Sequence, residues 1–118
     1  MSMAARIAIA IVAALHVYFL VLEMFLWTKP AGLRAFGLTP ERAETSKVLA
    51  ANQGLYNGFL AAGLVWSFML GDEGRGQAIF FLACVIVAGV FGAVTSSRKI
   101  LFVQAVPGVF ALVLVLMS

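Results

Sequence analysis

Asn52, Gln53, Tyr56 and Asn57 fall within six residues of a stretch that is otherwise apolar and long enough to cross a membrane. In hydrocarbon no water satisfies such groups, so each must face protein, a cavity or a ligand. Two more chemical groups share that setting. Glu23 is the one carboxylate inside an apolar run, and His16 lies seven residues before it, two helical turns away on nearly the same face. A carboxyl so placed can carry a proton, hold a cation or act as a base, and an imidazole beside it can couple to it. Gln104, one turn into the last apolar run, adds a further amide. Each group also has a plain structural reading. Glu23 could snorkel or pair with Lys47 or Arg98, His16 could be a hydrogen-bonded core residue, and the amides could be interhelical glue. Four amides, a phenol, a carboxyl and an imidazole at similar depth exceed what glue needs. They point to a polar pocket formed by His16, Glu23, Asn52, Gln53, Tyr56, Asn57 and Gln104.

Other chemistries lack their residues. There is no phosphate loop, dinucleotide fingerprint or nucleophile triad. With one His and one Cys, Cys84, the chain offers no multi-cysteine cage and no Glu-x-x-His pattern, so no metal site is expected and no cofactor is specified. Lys and Arg form no run interleaved with aromatics, which sets nucleic acid aside despite a net charge of +3.

The elements that must position these groups are membrane helices. Hydrophobic residues make up 64% of the chain and charged residues 11%, a composition outside the range of soluble domains. Mean hydropathy is +1.08. The 118 residues have room for four spans of roughly 20 residues each. The expected fold is all-α, a polytopic membrane protein with a four transmembrane helix bundle. It is expected to be a single domain over 1–118, with spans near 7–27, 48–70, 77–94 and 100–117. Arg6 and the apolar run after it could pass for a signal peptide. The run continues to Trp27 and carries His16 and Glu23, so it reads as a retained first helix.

Between the first two spans, 29–47 is polar, with Leu33, Phe36 and Leu38 suggesting a short piece along the membrane surface. Thr39 can cap a helix that has Pro40 at its first position and Glu41 in its first turn. Gly71, Asp72, Glu73 and Gly74 make a tight polar loop, and Pro107 should disturb the last span. In the second span Asn52 and Tyr56 share a ridge, with Gln53 and Asn57 on the ridge beside it. Gly54, Gly58 and Ala62 form a small-residue stripe on the opposite side, suited to close helix packing. Lys29, Arg34, Arg42, Lys47, Arg98 and Lys99 lie on one side of the spans, against Arg6 and Arg75 on the other. The positive-inside rule then makes the first set cytoplasmic, in a cell (inner) membrane protein with both termini outside.

The string Asn52-Gln53-Gly54-Leu55-Tyr56-Asn57, followed by Gly58-Phe59-Leu60-Ala61-Ala62-Gly63, resembles the signature of a family of small bacterial and fungal membrane proteins known as domain of unknown function 1304. The resemblance covers essentially the whole chain. It implies that His16 and Glu23 in the first helix, Gly89, Gly92 and Thr95 in the third, and Gln104 and Pro107 in the fourth are family positions. It implies no activity. A weaker similarity, in length, span count and an Asn-bearing second helix, is to the MAPEG enzymes of glutathione and eicosanoid metabolism. Their second helix carries an Arg-rich pattern that grips the thiol cofactor, where here only Arg42 and Lys47 precede Asn52.

The functional expectation is a small membrane protein that binds or transports a small polar solute, an ion or a lipid head group. Its surroundings would be the lipid bilayer, and it would form a homo-oligomer, since four short helices bury little alone. The alternatives are a membrane enzyme acting on a lipophilic substrate, with Glu23 or His16 as acid or base, and a structural or assembly subunit.

Overall fold

Backbone N–H and C=O groups in hydrocarbon must find partners within the protein, and a helix satisfies them inside one segment. A computed structural model describes the backbone of residues 1–118 and the side chains of all of them except Leu101. The architecture is all-α. Its helices are α1 (Met3–Met24), α2 (Pro30–Phe36), α3 (Pro40–Leu70), α4 (Arg75–Thr95), α5 (Arg98–Ile100) and α6 (Val106–Met117). A 3-10 turn, Gly71–Gly74, joins α3 to α4, and a π-helical turn, Leu101–Ala105, joins α5 to α6. Among the described residues three continuous helical runs are long and apolar enough to cross a membrane: Met3–Met24, Pro40–Thr95 and Arg98–Met117. The middle run doubles back at Gly71, whose φ of 62° suits a residue without a side chain. A Cβ added to Gly63 would overlap the Phe81 ring, as expected where α3 and α4 form an antiparallel pair. The run therefore holds two spans, and the chain has four.

Packing divides the chain into two compact units, residues 1–14 with 60–118, and residues 15–59. In the first unit the N-terminal part of α1, the C-terminal part of α3, α4 and α6 surround one core. Ile9, Val12, Leu64, Leu82, Val85 and Val115 fill it. Small residues bring backbones together there: a Cβ on Gly89 would lie 2.7 Å from the Ala105 backbone nitrogen. The π turn sits just ahead of Pro107. That residue has no N–H to donate and its ring crowds the carbonyl four residues back, so the expected disturbance takes the form of a widened turn. At the α3–α4 turn, the Ser67 hydroxyl donates to the Gly74 carbonyl at 2.9 Å.

The second unit is the C-terminal part of α1, α2 and the N-terminal part of α3. α1 ends at Met24, three residues before Trp27, where the Phe25 and Leu26 N–H groups both turn to the Val21 carbonyl at 3.0 and 3.2 Å. α2 is a short helix within the polar stretch between the first two spans. It has Pro30 at its start and ends on Gly37 in the left-handed conformation (φ 63°), with Leu38 N–H closing onto the Leu33 carbonyl at 3.0 Å. α3 begins as its capping residues dictate, with the Thr39 hydroxyl accepting from Arg42 N–H at 3.2 Å and Pro40 in the first position. Trp27 ties the connection to α3. Its indole N–H donates to Ser46 Oγ at 3.1 Å, and its ring lies 4.7 Å from that of Phe36.

Candidate functional site

Glu23 and Asn57 come together in the second unit. Asn57 Nδ2 donates to Glu23 Oε1 at 2.5 Å, and both residues are buried, at 5% exposure for Asn57 and 8% for Glu23. Glycine makes the approach possible. A Cβ on Gly54 would stand 2.7 Å from Met24 Cγ and 3.1 Å from Glu23 Cβ, and one on Gly58 would stand 2.7 Å from Leu20 Cδ1. Gly54, Asn57 and Gly58 follow the i, i+3, i+4 spacing of one helical face, so the residues that admit α1 also present the amide to it. Two turns earlier on α1, His16 is fully buried, with its ring edge-on to Phe19 at 5.2 Å.

The remaining expected site residues are distributed differently. Asn52 and Gln53 are exposed and have no side-chain hydrogen-bond partner among the described residues. Tyr56 is 51% exposed, and its ring lies 5.9 Å from that of Phe59. The second span therefore does not keep its amides together on one side with its glycines opposite. Each step of four residues advances about 40° beyond a full turn, which carries Asn57 from the ridge of Gln53 onto the glycine side. Gln104 is buried in the π turn of the first unit, and Glu23 and Asn57 belong to the second. Lys47, which could have paired with Glu23, instead pairs with Glu44 one turn back on α3.

Sequence reasoning did not anticipate that Gly54 flanks the carboxyl. The signal was present in the spacing of Gly54, Asn57 and Gly58, but choosing the face that meets α1 required the packing itself.

Chemically, the partner of Glu23 is an amide. Asn57 donates through Nδ2 to a carboxylate, and after an amide flip it can accept through Oδ1 from a carboxylic acid. The pair therefore stays hydrogen-bonded in either protonation state, whereas a Lys or Arg partner would hold the carboxyl ionised. Among the described residues no three His, Cys, Asp or Glu side chains are grouped to hold a metal ion.

Comparison with known proteins bears on the chain as a whole. The family described as Protein of unknown function (DUF1304) matches residues 10–116, which include every residue of the Glu23 site. An uncharacterized protein, YpaA, of Lactococcus lactis subsp. lactis (strain IL1403) is 30% identical over 105 residues, covering 87% of this chain and 88% of its own. No solved structure matches. A family match across nearly the whole length, with a relative that aligns over most of both chains, makes this protein a member of the DUF1304 family.

Proposed function

We propose that this protein is a small carrier of the cell (inner) membrane that takes up a proton or a small cation at Glu23, with Asn57 as the switching hydrogen-bond partner. The Asn57–Glu23 bond carries the reading: a buried carboxyl at the end of a membrane helix is matched to a neutral amide. An intramembrane carboxyl is expensive to keep and is commonly part of an ion or proton pathway. The neutral partner lets it load and unload without losing its hydrogen bond. His16, on the same side of α1 and about 10 Å from Glu23 along it, would couple to that exchange in this reading. The excess of Lys and Arg in the loops after α1 and α4 supports an orientation with both termini outside, which puts Glu23 near the cytoplasmic end of its span.

The test is flux in proteoliposomes. Purified protein should pass protons or a monovalent cation down an imposed gradient faster than protein-free vesicles. Glu23→Gln should return the rate to the vesicle leak while circular dichroism still shows a folded helical protein. Equal flux through the wild type and Glu23→Gln would overturn the proposal.

A further inference from the structure

The amides that Glu23 leaves unused define a second surface. Asn52 and Tyr56 project from α3 roughly 100–160° around its axis from Gly54 and Asn57, the residues packed on α1, and Gln53 lies on the flank between Tyr56 and Asn57. All three are exposed, and the two amides have no side-chain partner among the described residues. The apolar part of α3 begins at Val48, so Asn52 lies about 6 Å and Tyr56 about 12 Å into that apolar stretch, at 1.5 Å per residue. Acyl chains offer no hydrogen bonds at that depth, and polar groups facing them are costly. Leu49 and Phe59, exposed on the same side, bracket the polar patch with apolar surface that can seal it.

The identity of these residues indicates what covers them. Asn, Gln and Tyr are uncharged, and each both donates and accepts a hydrogen bond. A face of this kind is complementary to itself. A two-fold axis along the membrane normal brings the same residues of two copies together at equal depth, and amide can then pair with amide. A patch of Lys or of Glu could not do this. We propose that this face of α3 is where a second copy of the chain docks, α3 beside α3, with Asn52, Gln53 and Tyr56 satisfied across the interface. The proposal makes no use of Glu23, and its test reads association alone, so it can fail or stand independently of the carrier function.

Two measurements on the full chain in lipid decide it. In a Cys84→Ala background, Gln53→Cys and Tyr56→Cys should form disulfide-linked dimers on mild oxidation. Val87→Cys and Phe110→Cys, positions on α4 and α6 more exposed than Tyr56, should yield far less. Energy transfer between labelled copies in liposomes should show a dimer, and Asn52→Leu with Gln53→Leu should weaken it roughly tenfold or more through the lost interhelical bonds. A monomeric wild type, a dimer of unchanged strength in the double variant, or equal cross-linking at all four positions would overturn the proposal.

Discussion

Removing one partner of a buried polar pair costs more than the pair contributes, because the group left behind is desolvated with nothing to bond. For Asn57→Leu this predicts a loss of about 1–3 kcal/mol, read as earlier thermal unfolding in detergent. Adding Glu23→Leu to Asn57→Leu should recover much of that loss, since the stranded carboxyl goes with it. Additive losses in that double-mutant cycle would mean that the two side chains do not act as a pair. Asn52→Leu should leave monomer unfolding nearly unchanged, because Asn52 is exposed and has no side-chain hydrogen-bond partner to strand among the described residues. The contrast between two amides five residues apart follows from their faces alone.

At the scale of the helices, the glycines are graded by what a methyl group would meet. At Gly89 the obstacle is the backbone of Ala105, which cannot step aside, so Gly89→Ala should destabilise by about 1–3 kcal/mol. At Gly58 only the end of the Leu20 side chain is in the way, so Gly58→Ala should cost less. At Gly76, in the first turn of α4, nothing lies within 4 Å, so Gly76→Ala should stabilise by about 0.5–1 kcal/mol through helix propensity. Chemical denaturation of the three variants in one detergent would check the order. The start of α3 at Thr39 and Pro40, the polar turn at Gly71–Gly74 and the disturbance before Pro107 were legible in the sequence, because caps, turn glycines and prolines act through their own backbone. The partner of each α3 face was not. Periodicity gives angles around a helix axis but not which neighbour lies at each angle, so Asn57 could be grouped with Gln53 although packing assigns it to α1. The π turn was equally hidden, since a proline announces a lost donor and leaves open how the turn before it adjusts.

For the whole molecule, charge placement is the strongest statement about orientation. Impermeant thiol reagents applied to intact cells should label Ser2→Cys and spare Ser97→Cys, both in a Cys84→Ala background, if both termini are outside. The reverse pattern would invert the topology and move Glu23 to the other side of the membrane. The composition had already assigned the chain to the bilayer, because an 11% share of charged residues cannot clothe a water-facing surface. Composition alone carries nothing about copy number. The exposed polar side of α3 raises that question, because it becomes visible only once the inward side of that helix is known.

Trp27 is one of two tryptophans, and its indole is tethered to Ser46 and set against Phe36, whereas Trp66 is about half exposed. Replacing Trp66 with Phe would leave a chain whose intrinsic fluorescence reports on the segment between the first two spans. Any event that loosens α2 from the start of α3 would break the indole hydrogen bond and change the environment of the fluorophore. Emission wavelength and quenching would then follow that segment in real time, in lipid and without an added dye.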